Sequence, residues 1–211
     1  MIFGHFARLP SNGVPYVPFV LCGLVPWQFF SQVLGESTQS VVANQVLIRK
    51  VYFPRLYLPL TPLVAALVDL GIASIVLVVA LGFYRIAPSH ATLALPLFAL
   101  LAVLAAFGAS VWLSALNVRF RDVRYTVPFL IQIWFFATPV VYPSSLLPER
   151  LRPLLGLNPM STVADGFRWA LVGAPLPSGH SLLASCTAVV VLVGSGLLYF
   201  RHVDATLADT V

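Results

Sequence analysis

The chain has 211 residues, of which 59% are hydrophobic and only 9% are Asp, Glu, Lys or Arg. Soluble domains carry about 25% charged residues, so this composition, with a mean hydropathy of +0.93, excludes a soluble globular enzyme, a disordered tail and a secreted disulfide scaffold. The formal net charge of +5 requires no nucleic-acid partner and is typical of the cytoplasmic loops of a membrane protein.

Five apolar stretches are long enough to cross a bilayer as helices, because a hydrocarbon core about 30 Å thick needs about 20 residues. The stretches are continuous and lack the alternating polarity of outer-membrane strands. The sequence therefore predicts an all-α, polytopic membrane bundle in which residues 1–211 form one domain. The predicted spans cover about residues 14–43, 56–84, 92–118, 125–142 and 181–200.

The first seven residues are too few to span and lack the flanks of a signal peptide. We interpret them as the tail of a helix whose beginning is missing. Placing the loops at 44–55 and 119–124 and the C-terminus on one side gathers seven of the twelve basic residues there, close to span ends. This distribution favours the cytoplasm for that side.

Two turns on this side contain basic residues. Residues 45–53 predict a short interfacial helix, ended by Pro54. One face would carry Val46, Arg49, Lys50 and Phe53, and another Leu47, Val51 and Pro54. The pattern fits a turn held by anionic lipid or a docking knob for a cytoplasmic partner, and does not decide between them. In the second turn Asp122 is able to pair with Arg119 or Arg121.

The region from 138 to 180 contains prolines that break any long helix. Asn158 is a predicted N-cap, Pro159 the first helical residue and Gly173 the stop. We expect Ser161, Asp165 and Arg168 on one side of this helix, opposite an apolar side, and an ion pair between Asp165 and Arg168. Fourteen residues cover about 21 Å, too short to cross. The helix is expected to be re-entrant, which suggests a gate, with a surface-lying lid helix as the alternative.

Asp69 is an acidic residue inside a predicted span, where a carboxylate costs roughly 2.5–3.5 kcal/mol. A hydrogen bond between helices is favoured over a proton relay, because few acidic or His partners lie within the spans. A small-residue face around Gly108 predicts close helix packing. The four His residues lack metal-ligand spacing, and no catalytic constellation is visible.

Residues 113–130 closely resemble the membrane subunit of type-2 ABC exporters of bacterial polysaccharides. Residues 134–143 are similar to that family's fifth span and exit, residues 157–160 and 166–171 to its periplasmic re-entrant helices, and residues 44–56 to its coupling helix. The resemblance covers nearly the whole chain. The family normally has six spans after an amphipathic helix, so the resemblance implies an N-terminally truncated form with five complete spans, the tail of a first span, and a re-entrant region at 143–175.

The resemblance implies a permease subunit that exports lipid-linked O-antigen, capsule or teichoic-acid chains across the cytoplasmic (inner) membrane. The expected partners are a cytoplasmic ABC ATPase, a second copy of the chain, membrane lipid and the lipid-linked polysaccharide. The chain lacks a GxxxxGK[ST] loop, so ATP and Mg²⁺ are expected on the ATPase, with no cofactor, metal or catalytic residue on this chain.

The residue patterns and the resemblance together give four groups of candidate residues. The coupling group is Gln45, Val46, Arg49, Lys50, Val51, Tyr52, Phe53 and Pro54, and the second cytoplasmic loop contributes Arg119, Arg121, Asp122 and Arg124. Aromatic faces stack on pyranose rings, although Trp and Tyr also anchor membrane interfaces. The candidate substrate path is Trp27, Phe29, Phe30, Trp134, Phe135, Phe136 and Tyr142, and the candidate periplasmic gate is Asn158, Pro159, Asp165, Arg168 and Trp169.

Three alternatives to a polysaccharide exporter are kept. A type-2 ABC exporter of drugs or other small molecules would have a narrower conduit. An ion-coupled secondary carrier would show paired intramembrane charges and inverted repeats, and neither is evident. A membrane scaffold would not explain the prolines of the re-entrant region.

Overall fold

A computed structural model describes residues 15–51, 53–87, 89–148 and 152–208, and all regular structure in these ranges is helical. The side chains of residues 48, 49, 152, 153 and 206–208 lie outside this description, as does the predicted helix tail at the N-terminus. The all-α prediction is confirmed. The helices are α1 (Tyr16–Ala43), α2 (Gln45–Lys50), α3 (Tyr57–Phe83), α4 (Leu95–Arg119), α5 (Val123–Ala137), α6 (Arg152–Leu155), α7 (Pro159–Val172) and α8 (Gly179–Ala208), with 3₁₀ turns at His90–Ala94 and Ser144–Leu146.

Four segments of the described part are long and apolar enough to cross a membrane, whereas the sequence predicted five. They are Tyr16–Ala43, Tyr57–Phe83, His90–Arg119 and Gly179–Ala205. The predicted span at 125–142 is the 15-residue α5, about 22 Å long. It ends at Ala137 because Thr138 precedes Pro139, and a residue before proline is driven out of the helical region; Thr138 has φ −97° and ψ 134°.

Helix α1 is the centre of the bundle and contacts α3, α4, α5 and α7. Its side chains Phe19, Phe30 and Val33 are almost completely buried. Helix α3 is peripheral and exposes a continuous apolar surface that includes Val68 and Val79. Such a surface suits the hydrocarbon of a bilayer, where a helix needs no polar outer face.

The small residues predicted on α4 are buried, and Gly108 packs against α8. Ala102, Ala105 and Ala106 are buried with Gly108. A Cβ built on Gly108 would lie 2.9 Å from the backbone nitrogen of Val193 in α8, so the two backbones approach as closely as glycine allows.

The bundle has two distinct ends. We call one end the inner end. It contains the C-termini of α1, α4 and α8, the N-termini of α3 and α5, and the short helix α2. A small apolar cluster that includes Val41, Leu58 and Phe200 lies there. Helix α7 lies at the opposite, outer end, where Thr92 Oγ1 donates to the carbonyl of Ala170 at 3.0 Å. The loops predicted to share one side therefore do share one end.

Candidate functional site

The predicted interfacial helix exists as α2, but it is shorter than expected. It ends at Lys50 rather than Phe53, because Val51 is extended with φ −132° and ψ 128°. The N–H of Val51 still donates to the carbonyl of Leu47 at 3.0 Å, which closes the last turn. Tyr52 and the side chain of Arg49 lie outside the described residues.

Helix α2 presents apolar and basic side chains together at the inner end. Val46 is 65% exposed and Val51 51%, and Leu47 and Lys50 are exposed as well. Exposed apolar side chains next to a cation are what a protein partner or an anionic lipid surface would cover. Both alternatives from the sequence therefore stay open on geometry.

The segment after α2 is anchored to the far end of the chain, which sequence reasoning missed. Arg55 Nη1 lies 3.0 Å from Asp204 Oδ1 and also donates to the backbone carbonyl of Asp204 at 3.1 Å. The anchor joins the start of α3 to the end of α8. The signal in the sequence was an acidic residue shortly after the last predicted span, and nothing pointed to its partner.

The second loop at the inner end is built around Asn117, which the sequence analysis did not select. Its side chain is 1% exposed; Nδ2 donates to the carbonyl of Thr38 at 2.9 Å, and Oδ1 accepts from the N–H of Arg124 at 3.2 Å. Asn117 therefore fixes the turn between α4 and α5 against α1. A single amide at the end of an apolar run was the available signal.

The expected ion pairs of Asp122 are wrong. Arg119, Arg121 and Asp122 are exposed, and no ion pair joins them in the described part of the chain. The guanidinium of Arg124 lies over the ring of Tyr125 at 4.6 Å. The loop thus presents three basic side chains to the surface at the inner end.

Five of the seven candidate path aromatics, all except Phe29 and Tyr142, form one cluster between α1 and α5. Trp27 lies 5.6 Å from Phe30 and 5.7 Å from Phe135, and Phe30 lies 5.1 Å from Trp134, between ring centroids. Trp27, Phe29 and Phe30 are at most 4% exposed. These three are packing residues here, because the wall of a conduit must be exposed. Trp134, Phe135 and Tyr142 are half-buried, and Phe136 is 65% exposed.

Helix α7 has the termini that the sequence predicts. Asn158 Oδ1 accepts from the N–H of Met160 at 3.2 Å, Pro159 begins the helix, and Gly173 follows it in the left-handed region at φ 71°. Asn158 also accepts from Trp134 Nε1 at 3.2 Å and donates to Thr138 Oγ1 at 2.9 Å. The cap therefore ties the start of α7 to the end of α5.

Arg168 is the most informative residue of the outer end. It lies on the same side of α7 as Ser161 and Asp165, as predicted, but that side is buried at Arg168. It is 1% exposed, with Nη1 3.1 Å from Asp165 Oδ1, Nη2 donating to the carbonyl of Val140 at 2.6 Å and Nε to the carbonyl of Phe19 at 3.3 Å. Its guanidinium carbon also lies 3.9 Å from the centroid of the Phe19 ring. The predicted pair with Asp165 is confirmed, but it faces the protein interior.

Burial governs the titration of this pair. It raises the pKa of the Asp165 carboxyl, although the charge of Arg168 and a hydrogen bond from Ser144 Oγ at 2.7 Å act in the opposite direction. Burial likewise lowers the pKa of the Arg168 guanidinium, against the charge of Asp165. The remaining gate candidate, Trp169, is half-buried against Phe98 at 6.2 Å.

Asp69 makes the interhelical hydrogen bond that the sequence favoured. Gln32 Nε2 on α1 donates to Asp69 Oδ2 at 2.9 Å and to Glu36 Oε1 at 3.3 Å. The amide therefore sits between two carboxylates and links α1 to α3.

Comparison with known proteins agrees with this architecture. Residues 1–172 match the ABC-2 type transporter family. The chain is 30% identical over 195 residues to an O-antigen export system permease protein of Klebsiella pneumoniae. The aligned region covers 92% of this chain and 75% of that protein. The chain is 30% identical over 210 residues to one of Myxococcus xanthus, at 98% and 80% coverage. A polysialic acid transport protein of Escherichia coli is 24% identical over 211 residues, at 95% and 79%.

The family match covers most of the chain, and the long apolar helices of the bundle agree with it. The protein is a multi-pass protein of the bacterial inner membrane, and it is a transport component whose family works with an ABC ATPase. The chain belongs to the ABC-2 type transporter family.

Proposed function

We propose that this chain is the permease subunit of an ATP-driven exporter that moves lipid-linked polysaccharide across the cytoplasmic membrane. The observation that carries the proposal is its similarity, over 92% and 98% of its length, to two O-antigen export permeases. Two copies of the chain would form the conduit, and two ABC ATPase subunits would bind at the inner end.

Helix α2 and the neighbouring loop supply the contact with the ATPase. The exposed side chains Val46, Leu47 and Val51 offer an apolar surface, and Lys50 adds a positive charge. An apolar centre with a charged rim is the usual composition of a protein interface. ATP and Mg²⁺ would bind to the ATPase, and this chain would contribute no cofactor, metal or catalytic group.

Helix α5 supplies the surface for the second copy and for the substrate. Of its fifteen residues only Val127 is fully buried in the single chain. A second copy placed against this face would enclose Phe136 and the neighbouring half-buried aromatics at the outer half of the helix. Aromatic rings offer flat apolar faces to pyranose rings without binding them tightly.

The proposal is tested by reconstituting the chain with its cognate ABC ATPase in proteoliposomes loaded with lipid-linked polysaccharide. We expect glycan transfer that requires ATP and is lost when the catalytic glutamate of the ATPase is replaced by glutamine. ATP hydrolysis with movement of small amphiphiles, but not of glycan, would contradict the polysaccharide assignment and support a small-molecule exporter.

The ATPase contact is tested separately by Val46→Asp combined with Lys50→Glu. We expect loss of ATPase co-purification, because the change places negative charge on the apolar and basic surface. The control is Arg85→Glu, a charge reversal at an exposed position at the outer end of α3. Unchanged co-purification of the α2 variant would overturn the assignment of α2 as the coupling helix.

A further inference from the structure

The exposed side of the central helix α1 is polar along most of its length. Between residues 18 and 42 the exposed side chains are Gln28, Glu36 and Gln39, and every one of them is polar. Two half-buried residues lie between these three on the same side of the helix. We call the resulting surface the polar face of α1, and its residues are Gln28, Gln32, Gly35, Glu36 and Gln39.

The polar face lies at membrane depth. Helix α1 has 28 residues and is about 42 Å long, so Gln28 lies near its middle and Gln39 about one turn from its inner end. Asp69 lies near the middle of α3 and accepts from Gln32 Nε2 at 2.9 Å, so it borders the polar face on that side. A hydrocarbon core about 30 Å thick would enclose Gln28, Gln32 and Asp69.

Lipid does not suit this surface. The side chains of Gln28 and Gln39 make no hydrogen bond within the described part of the chain. An unpaired amide or a carboxylate in hydrocarbon is strongly unfavourable. Helix α3 provides the comparison, because its exposed side chains Val68 and Val79 are apolar. The polar face of α1 therefore needs water or a polar molecule against it.

A second copy of the chain is a poor partner for the polar face. In a two-fold dimer a surface that packs on itself meets its own residues. The carboxylates of Glu36 and Asp69 would then lie close to their own copies, and like charges across an interface are unfavourable. The exposed side of α5, with Phe129 and Ile133, is apolar and suits a second copy better.

The surroundings of the polar face fit a glycan. Trp27 precedes Gln28, and its ring lies 5.7 Å from that of Phe135, so aromatic side chains border the polar face on the side of α5. Amides donate to and accept from sugar hydroxyl groups, and aromatic rings cover the C–H faces of a pyranose. Gly35 adds open space, because no described atom lies within 4 Å of a Cβ built on it.

We propose that the polar face of α1 forms one wall of a water-filled passage, in which the amides of Gln28 and Gln39 exchange hydrogen bonds with the hydroxyl groups of a moving glycan. The inference rests on the proposed function, since it specifies a surface of that exporter which contacts the substrate. Amides at intervals along one helix let a polyhydroxylated chain pass from one hydrogen-bonding group to the next without a deep binding site.

Cysteine labelling tests whether water reaches the polar face. Cys22→Ala and Cys186→Ala give a cysteine-free chain, which is placed in membrane vesicles with its cognate ABC ATPase. A charged, membrane-impermeant methanethiosulfonate is the probe, and it reacts with the thiolate, which apolar surroundings disfavour. Gln28→Cys and Gln39→Cys should therefore react at least about tenfold faster than the control Val68→Cys, which is 64% exposed on the apolar side of α3. Rates equal to that of the control would overturn the proposal.

A tryptophan at Gly35 tests whether the passage carries the glycan. Gly35→Trp places a large ring in the open space of the polar face and should abolish export in the proteoliposome assay. Gly71→Trp on α3 is the matched control, because a Cβ there also has no described atom within 4 Å, and it should leave export unchanged. Equal export by the two variants, or separation of the two copies of the chain by Gly35→Trp, would overturn the proposal.

Thermal unfolding checks that both tryptophan variants keep the fold. Should Gly35→Trp fail to fold, Gln28→Leu combined with Gln39→Leu takes its place. This double variant removes the amides while keeping side chains of similar size, and it should likewise lose export. Export at the wild-type rate by the double variant would overturn the proposal.

The two assays separate this proposal from the proposed function. If the wild-type complex exports polysaccharide while Gln28→Cys and Gln39→Cys react no faster than Val68→Cys, the assignment of the polar face fails and the exporter stands. If both cysteines react fast while the complex moves no polysaccharide, the exporter assignment fails and the polar face stands as the wall of a water-filled passage.

Discussion

Arg55 and Asp204 are 149 positions apart in the sequence, yet their side chains form an ion pair at 3.0 Å at the inner end of the bundle. The pair joins the loop after α2 to the last turns of α8, beside the small apolar cluster of that end. The segment after α2 is therefore linked directly to both α3 and α8.

Breaking this pair should have a modest effect on stability. Arg55 is 19% exposed and Asp204 41%, and partly exposed pairs contribute about 0.2–1 kcal/mol. We expect Arg55→Ala, Asp204→Ala and the double variant to give a coupling energy of that size in a double-mutant cycle, measured by thermal unfolding in detergent. A coupling energy of zero would show that the two side chains act independently.

Replacing Arg168 should be far more damaging. Arg168→Met leaves Asp165 without its counter-ion and two carbonyl groups without a donor, so we expect a loss of about 3–5 kcal/mol. Arg168→Lys keeps the charge but not the planar fork, and it should fall between wild type and Arg168→Met. Chemical unfolding in detergent measures the series, and a loss below 1 kcal/mol for Arg168→Met would contradict the buried network.

The raised pKa of Asp165 predicts a specific dependence of stability on pH. A carboxyl with a higher pKa in the folded than in the unfolded state contributes stability that is fully present below the unfolded pKa and is lost as pH rises through the folded pKa. Asp165→Asn does not titrate and should flatten this slope. Melting temperatures of both proteins between about pH 4 and pH 7 check the sign, and an identical slope would refute it.

Asp69 should act as a hydrogen-bond acceptor and not as a proton carrier. Asp69→Asn keeps an oxygen for Gln32 and should export glycan at close to the wild-type rate. Asp69→Leu removes the acceptor and should lower the free energy of unfolding by about 0.5–1.5 kcal/mol. If Asp69→Asn abolished export at unchanged stability, a proton relay would be indicated.

The contact between α4 and α8 depends on Gly108. A Cβ at this position would press on the backbone nitrogen of Val193, so Gly108→Ala should cost about 1–3 kcal/mol. Gly71→Ala on α3 is the control, because no atom lies within 4 Å of its added Cβ. It should be neutral or stabilising by thermal unfolding, since alanine favours helix. Equal effects of the two changes would contradict the close packing.

Local signals in the sequence were sufficient for α7 and for the small-residue face of α4. Asn158 and Pro159 at the start of α7, and Gly173 at its end, each act on the adjacent turn of the helix, so the helix boundaries depend on local sequence. The end of α5 also had a local signal in Pro139, but the apolar run to Tyr142 outweighed it in the prediction. Composition measures the affinity of a segment for lipid, whereas proline at 139 decides where the backbone leaves the helix.

Long-range contacts account for what the sequence did not predict. The burial of Arg168 depends on the carbonyls of Phe19 and Val140, which a helical wheel of α7 does not contain. The same holds for Asn117, whose acceptor belongs to α1. Trp27 and Phe30 pack inside the chain because α5 covers them, and no spacing within α1 distinguishes that arrangement from a wall facing sugar.

The fork of Arg168 has a mechanical consequence. One planar cation grips the start of α1, the irregular stretch after α5 and its own helix, and Gly23 leaves room for the grip because a Cβ there would lie 3.0 Å from Nη2. Tilting α7 alone would move the guanidinium of Arg168 away from the carbonyl groups that accept its hydrogen bonds. Helix α7 at the outer end is therefore fixed to the central helix α1, and any opening of the outer end must move α1 and α7 together.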